Sequence, residues 1–197
     1  MNWKINNFIM ISAILLAAGQ SKRMDGENKL KKIVNNQPLI KHSINNILES
    51  NIDELIIVVG YQEKIIKKLI NKNKKIKIIS NKNFRRGMAS SIKVGLNHLS
   101  EKTEYFFICL ADMPNINKKI YNSLIKSRNN YKIIMPTYRG QRGNPVLFDI
   151  SMKDIIINIR GDNGAKKIIN MHEKKIFAFE TNDQSIIQNF NTQESFS

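Results

Sequence analysis

Apolar runs rich in β-branched residues alternate along the chain with segments in which apolar residues recur at helical spacing. Short continuous apolar runs are typical of strands that are buried on both faces, whereas helical spacing is typical of a helix that covers a sheet. The pattern predicts an α/β fold with a mostly parallel sheet covered on both faces. The predicted strands are Met10 to Leu16, Glu54 to Val59, Lys75 to Ser80, Tyr105 to Ala111, Tyr131 to Thr137, Pro145 to Phe148 and Lys175 to Phe179.

Helices are predicted between these strands. Pro38 opens the first of them at the first helical position, which proline favours. A later helix carries Ser90 and Ser91 near its start, away from its apolar stripe, and a last helix follows residues 161–164. The apolar stripes are Leu39, Ile40, Ile44, Ile47 and Leu48; Ile65, Ile66, Leu69 and Ile70; Met88, Ile92, Leu96 and Leu99; Ile120, Leu124 and Ile125; and Met152, Ile155, Ile156 and Ile159.

The length of 197 residues suits a single domain. The pattern places it at residues 10–181, between an N-terminal extension of residues 1–9 and a polar, partly frayed tail of residues 182–197. The apolar run from Phe8 to Ala18 is open to a signal-peptide interpretation, but it is too short to span a bilayer and the sheet needs it as a first strand. The single cysteine, Cys109, lies in an apolar run, which predicts a buried thiol and a reducing, cytoplasmic compartment.

The chain is strongly basic. Apolar residues make up 42% and charged residues 24%, which excludes disordered and polytopic membrane proteins, but the formal net charge of +16 would suit a polyanionic partner. The lysines are scattered, as AT-rich coding would produce, with neither a basic tail nor a basic patch interleaved with aromatic residues. We therefore expect no stable nucleic-acid complex and no membrane partner. A non-catalytic nucleic-acid-binding module is the alternative from another functional class.

The first segment with candidate chemistry runs from the first predicted strand into a turn of small residues. Ligands of an open α/β sheet gather at the carboxyl ends of its strands. Small residues let backbone N–H groups approach phosphate oxygens, and Arg23 and Lys29 are placed to neutralise phosphate charge. The alternative is an ordinary turn with solvated charges. The candidate nucleotide-binding residues of this segment are Leu16, Ala17, Ala18, Gly19, Ser21 and Lys22.

A carboxylate follows another apolar strand, at Asp112 in the string Leu110-Ala111-Asp112-Met113-Pro114. Mg²⁺ is usually held by one or two carboxylates together with substrate phosphates, so this residue is a candidate metal ligand. The alternative is a helix N-cap, a common role for Asp in a loop that leads into a helix.

Two further loops carry polar residues and glycines. The first contains Asn81, Gly87, Ser90 and Ser91, whose amides and hydroxyls can donate to anions or to a base edge but are also ordinary helix caps. The second is the pair Gly140-Gln141-Arg142-Gly143-Asn144-Pro145 and Gly161-Asp162-Asn163-Gly164-Ala165-Lys166. Asp162 in this pair either caps the following helix or serves as a second metal ligand.

Together these loops resemble the nucleotidyltransferases that attach a nucleotide to the molybdenum cofactor, above all their cytidylyltransferase branch. The resemblance runs from about residue 11 to residue 179 and begins with the run from Leu15 to Met24. In two places the chain departs from the usual pattern. The first loop is one residue longer before Lys29, and Lys166 stands where the branch usually has Arg.

The resemblance implies a Rossmann-like three-layer αβα sandwich that moves CMP from CTP to the terminal phosphate of the molybdenum cofactor and releases pyrophosphate. It implies that Arg23, Lys29 and Asp112 are catalytic, and that Asp112 binds Mg²⁺ with Asp162 as a possible second ligand. It places Asn81, Gly87, Ser90 and Ser91 at the base and ribose of the nucleotide. The implied acceptor-binding residues are Gly143, Asn144, Pro145, Gly161, Asp162 and Gly164.

The resemblance also bears on specificity. Ala18 favours CTP over GTP, since the guanylyl branch tends to have Gly at this position and an added methyl leaves less room for a purine. A molybdoenzyme that receives the product is the implied partner. A transferase that acts on a sugar, polyol or other small phosphate remains the alternative within the same class.

Overall fold

The computed structural model describes residues 9–21, 27–158 and 165–190. The strands in these residues are β1 Met10–Ala17, β2 Ile33–Val34, β3 Gln37–Pro38, β4 Glu54–Val59, β5 Ile76–Ser80, β6 Thr103–Leu110, β7 Ile133–Tyr138, β8 Gln141–Arg142, β9 Val146–Asp149 and β10 Ile176–Glu180. The main sheet has the order β10-β7-β9-β6-β1-β4-β5, with β8 paired to β7. β9 runs antiparallel to both of its neighbours, whereas β6, β1, β4 and β5 are mutually parallel.

Helices cover both faces of this sheet, and the predicted α/β fold is confirmed. On one face, α1 and α4 pack over Ala13, Leu15 and Ala17 of β1. On the other face, α3 packs over Ile14. The helices are α1 Leu39–Leu48, α2 Glu63–Leu69, α3 Met88–Leu96, α4 Lys118–Lys126, α5 Lys153–Ile156 and α6 Lys166–Met171.

All seven predicted strands are present, each with ends within two residues of the prediction. They were predictable because strands that are buried on both faces must be apolar along their whole length. The two-residue strands β2, β3 and β8 were not predicted, since pairs this short have no hydrophobic period to detect.

Several details of the helices differ from the predictions, and one is that Ile155, assigned to the stripe of α5, is 36% exposed. Pro38 lies one residue before α1, because it pairs with Ile33 in the β2–β3 hairpin. Met88 and Ile65, assigned to apolar stripes, are 39% and 43% exposed. Both lie in the first turn of a helix that follows a parallel strand, so they lie at the carboxyl edge of the sheet, beyond the core. Ser91, which was predicted to lie away from the apolar stripe of its helix, is buried on the inner side of α3.

The polar end of the chain is ordered further than its composition predicts. We expected fraying from Asn182, but residues 184–187 form a 3-10 turn in which the Ile186 side chain is fully buried. Ile187 and Phe190 are partly buried against the same core. These apolar residues hold the otherwise polar stretch against the core, which explains why it is ordered beyond Asn182. We call residues 183–190 the C-terminal strap.

The Cys109 thiol is buried in the core, as predicted from its apolar surroundings. Burial raises the pKa of this thiol to about 12, because a thiolate would lose its hydration there. In the part of the chain that the structure describes, no helix has the length and apolar character needed to cross a bilayer.

Gly95 marks a close approach between α3 and β1. A Cβ at this position would overlap the Ile14 side chain, which is fully buried. We expect Gly95→Ala to lower the free energy of unfolding by about 1–3 kcal/mol through overpacking, measured by urea denaturation. Gly19→Ala is the control, because no atom of the described residues beyond its chain neighbours lies within 4 Å of its added Cβ. Equal stability of the two variants would contradict this packing.

Candidate active site

The register of four parallel strands brings four loops to one edge of the sheet. Ala17 at the end of β1 is paired with Val59 of β4, and Val59 is paired with Ser80 of β5. On the other side, Leu16 is paired with Leu110 at the end of β6. The loops that follow these strands therefore lie side by side, and they include the first three segments predicted to carry chemistry.

Lys29 and Asp112 meet at this edge. The Lys29 Nζ lies 2.5 Å from Asp112 Oδ2, with side-chain exposures of 14% and 19%. An ion pair that is mostly screened from water is held more tightly than a surface pair, while the remaining exposure leaves the carboxylate open to a ligand. Two of the three predicted catalytic residues are thus in direct contact.

The position of Lys29 depends on Asn28, a residue that the sequence analysis did not single out. Asn28 is fully buried and caps the 3-10 turn Lys29–Lys31 by accepting from the Leu30 N–H at 3.1 Å. Its Nδ2 donates to the Tyr61 carbonyl at 3.3 Å, which ties this turn to the loop after β4. The Lys29 N–H donates to Ser21 Oγ at 3.1 Å, so the predicted Ser21 holds the first loop against this turn.

The loop that carries Asp112 is fixed from α1 and β1. The Ala111 N–H donates to the Leu16 carbonyl at 3.3 Å, and the Ala111 carbonyl accepts from Ser43 Oγ at 3.2 Å. Asn46 Nδ2 donates to the Pro114 carbonyl at 2.8 Å. These contacts hold the backbone on both sides of the carboxylate.

Asp112 is not a helix cap. The helix after this loop, α4, begins at Lys118, and its N-cap is Asn117, whose side chain accepts from the Lys119 N–H. The alternative of a capping role for Asp112 is therefore wrong. Its carboxylate has Lys29 as a side-chain partner and lies at the loop edge, where ligands of such sheets bind.

The predicted nucleotide-binding residues after β5 form a compact cluster. Asn81 is 2% exposed, and its Nδ2 donates to Ser90 Oγ at 2.9 Å and to Ser91 Oγ at 3.0 Å. Its Oδ1 accepts from the Asn83 N–H at 2.9 Å. The amide of Asn81 thus clips the loop to the start of α3, and its contact with a nucleotide stays a prediction.

Gly87 supplies the backbone conformation that starts α3. Its φ of 92° lies in the region that favours glycine, directly before Met88. The Ser90 hydroxyl lies 2.8 Å from the Gly87 carbonyl. A side chain at Gly87 would strain this turn, which is why the sequence has glycine there.

The loop after β4 contributes a wall that the sequence analysis missed. An added Cβ at Gly60 would lie 2.7 Å from the Phe84 Cβ and 2.9 Å from the Ala18 Cβ. The Tyr61 N–H donates to the Ala18 carbonyl at 3.2 Å. The Ala18 methyl, 4% exposed, is therefore packed between the loops. The sequence signal that could have revealed this wall was Gly60, a small residue between a predicted strand and a predicted helix.

The predicted acceptor loop approaches the Asp112 end of β6. Antiparallel pairing of Val146 with Ile108 directs the residues before Val146 toward the carboxyl end of β6. The Gly143 N–H donates to the Pro136 carbonyl at 2.9 Å, and the Asn144–Pro145 bond is cis. Gly143, Asn144 and Pro145 thus lie on the β9 side of the site.

Several predicted site residues lie outside the described part of the chain, and their placement stays a prediction. Among the described residues, no cluster of three or more His, Cys, Asp or Glu side chains could hold a metal ion. A metal at Asp112 would therefore need ligands beyond the described side chains. The predicted residues outside the described ranges are Lys22, Arg23, Gly161, Asp162 and Gly164.

The chain is similar in sequence to several known proteins. The chain is 26% identical over 190 residues to the molybdenum cofactor cytidylyltransferase of Escherichia coli, covering 94% of this chain and 93% of that protein. It is 31% identical over 136 residues to a probable molybdenum cofactor guanylyltransferase of Natranaerobius thermophilus, covering 66% and 62%. It is 25% identical over 195 residues to the bifunctional protein GlmU of Staphylococcus saprophyticus, covering 93% of this chain but only 43% of that protein.

The fold is shared with solved structures at lower identity. Rv0371c from Mycobacterium tuberculosis H37Rv superposes with a TM-score of 0.85 at 17% identity, covering 95% of this chain and 96% of that one. A manganese complex of Rv0371c superposes with a TM-score of 0.80 at 15% identity, with the same coverage. Residues 13–176 match the model of the MobA-like NTP transferase domain. The chain therefore belongs to the MobA-like NTP transferase domain family, a family of nucleotidyltransferases, as its loop motifs predict.

Proposed function

We propose that the chain transfers CMP from CTP to the terminal phosphate of a molybdopterin-type acceptor and releases pyrophosphate, with Mg²⁺ as the metal. The observation that carries this proposal is the contact between Lys29 and Asp112 at the edge where the loops after β1 and β6 meet. A cation and a carboxylate at one point of this edge match the two needs of a nucleoside triphosphate, charge neutralisation and a metal ligand.

The residues present fit a bound Mg²⁺. Asp112 offers hard oxygen ligands, is partly exposed, and sits on a loop held by Ser43 and Asn46. Mg²⁺ commonly takes one or two protein carboxylates and completes its shell with phosphates and water. The manganese complex of Rv0371c supports a divalent ion in this fold. When bound, the ion would neutralise charge on the triphosphate, and Asp162 remains the proposed second ligand.

The reaction needs no protein nucleophile. A phosphate oxygen of the acceptor is already ionised at neutral pH and can attack the α-phosphorus of CTP directly. The new O–P bond forms as the bond to the bridging α–β oxygen breaks, and pyrophosphate leaves with that electron pair. Lys29 and Arg23 would stabilise the charge that develops on the phosphates, while the loop of Ala18 and Gly19 would hold them in line.

The nature of the acceptor rests on the relatives. The Escherichia coli relative, aligned over nearly its whole length, is named a molybdenum cofactor cytidylyltransferase, which supports a molybdopterin-type phosphate. The product would then pass to a recipient molybdoenzyme. The match to GlmU keeps a sugar or other small phosphate as the second candidate. Pyrophosphate release with CTP, Mg²⁺ and each acceptor in turn separates them. Release only with a sugar phosphate would reject the first candidate.

Asp112 can be tested by removing its carboxylate. We expect Asp112→Ala to lower turnover by about a hundredfold or more, measured as pyrophosphate release, because the metal ligand is lost. The melting temperature should fall only modestly, since a carboxylate on a loop contributes little packing. Asp154→Ala, which removes an exposed carboxylate on α5, is the control. Retained turnover in Asp112→Ala would refute the metal assignment.

Replacing Lys29 tests whether its ammonium competes with a metal ion for Asp112. Its ammonium occupies Asp112 Oδ2, so a metal ion must displace it or share the carboxylate. We expect Lys29→Met to lower turnover by about a hundredfold, yet to tighten Mn²⁺ binding to the nucleotide-free chain, measured by electron paramagnetic resonance. Lys31→Met, on the same 3-10 turn, is the control because its pairing with Glu27 is exposed. Weaker Mn²⁺ binding in Lys29→Met would contradict this competition.

The choice of nucleotide can be tested at Ala18. Ala18 packs against Gly60 in the loop wall beside Phe84, and the family resemblance places this wall next to the base of the nucleotide. In competition among the four nucleoside triphosphates, we expect CTP to be preferred by about tenfold or more, as one methyl in a pocket permits. Ala18→Gly should reduce this preference. A clear preference of the unmodified chain for GTP would reject the assignment of CTP.

A further inference from the structure

The C-terminal strap, residues 183–190, contacts two parts of the site at once. It lies beyond residue 176, where the match to the family model ends. Its Ile186 side chain is fully buried, which fixes the strap on the sheet core. The strap carries none of the residues assigned to chemistry. Its backbone is nevertheless hydrogen-bonded to the loop of Asp112 and to the loop of Gly143 and Asn144.

The first contact is with the loop that carries the proposed metal ligand. The Phe190 N–H donates to the Asp112 carbonyl at 2.8 Å. On the other side of Asp112, the Ala111 carbonyl accepts from Ser43 Oγ at 3.2 Å. Bonds before and after a residue restrict both of its backbone dihedrals, and these dihedrals set the direction of its side chain. The strap therefore supplies one of the constraints that aim the carboxylate.

The second contact is with the predicted acceptor loop. The Asn144 N–H donates to the Ile186 carbonyl at 2.8 Å. Gly143 packs so closely on the same residue that an added Cβ would lie 2.7 Å from both the Ile186 carbonyl oxygen and its Cδ1. Asp183, at the start of the strap, accepts from Asn117 Nδ2 at 3.0 Å. The strap thus joins the end of the Asp112 loop to the acceptor loop.

We propose that the C-terminal strap is a positioning element, which aims the Asp112 carboxylate through the Phe190 backbone and fixes its distance from the loop of Gly143 and Asn144. This inference rests on the proposed metal role of Asp112. The strap carries none of the residues assigned to the nucleotide or the metal. Its loss should therefore weaken metal binding and lower the rate of transfer through the position of the carboxylate.

The test compares two substitutions at one position. Phe190→Pro removes the N–H donor, whereas Phe190→Ala keeps it and removes only the side chain. We expect Phe190→Pro to weaken Mn²⁺ binding to the nucleotide-free chain by about fivefold, as the loss of one backbone hydrogen bond implies. Its kcat should fall, and Phe190→Ala should keep the Mn²⁺ affinity of the unmodified chain. Equal Mn²⁺ affinity in the two variants would overturn the proposal.

A second pair of chains covers the case in which Phe190→Pro does not fold. One chain ends at Gln188 and loses Phe190, and its control ends at Thr192 and keeps it. Weaker Mn²⁺ binding only in the shorter chain supports the strap, whereas equal affinity overturns it. If the unmodified chain binds Mn²⁺ without transferring CMP, the proposed reaction fails while this comparison still decides the role of the strap.

Discussion

The ion pair between Lys29 and Asp112 is the interaction on which the arrangement of the site depends. It joins two residues that are 83 positions apart, and it forms because β1 and β6 are adjacent and parallel, with ends in register. A partly buried carboxylate needs a compensating charge, and the lysine supplies it. In the proposed reaction the same two side chains would engage the metal ion and the triphosphate.

The opposite edge of the sheet shows why a buried carboxylate alone does not make a site. Glu54 begins β4, and its Oε2 accepts from Ser12 Oγ at 2.9 Å and from the Ser100 N–H at 3.2 Å. Its Oε1 is paired with Lys77, and its side chain is only 7% exposed. Both oxygens are therefore committed to partners of the fold. Asp112 differs because it is more exposed and lies at the carboxyl edge, where loops rather than strands surround it.

The sequence predicted the strands, and the sheet edge where the candidate side chains meet, better than the contacts that hold those side chains. Apolar runs marked the sheet, and the position of Asp112 after such a run made it a candidate metal ligand. The sequence analysis missed Asn28, Asn46 and the strap. They act through hydrogen bonds between a side chain and the backbone, or between distant backbone groups, and such bonds leave no periodic pattern in a sequence. The amide of Asn81 holds its loop to the start of α3, and its predicted contact with a nucleotide stays a prediction. Arg23 and Asp162 lie outside the described residues, so they remain predictions from motifs.

The central claim is that one metal ion is shared by Asp112 and the phosphates of the nucleotide. The most direct measurement is the anomalous scattering of Mn²⁺ in crystals of the chain grown with a non-hydrolysable CTP analogue. We expect an anomalous peak within bonding distance of an Asp112 carboxylate oxygen and of the analogue's phosphates, with the Lys29 ammonium moved from that carboxylate onto a phosphate. Mn²⁺ bound to the phosphates away from Asp112, with the ion pair to Lys29 intact, would contradict it.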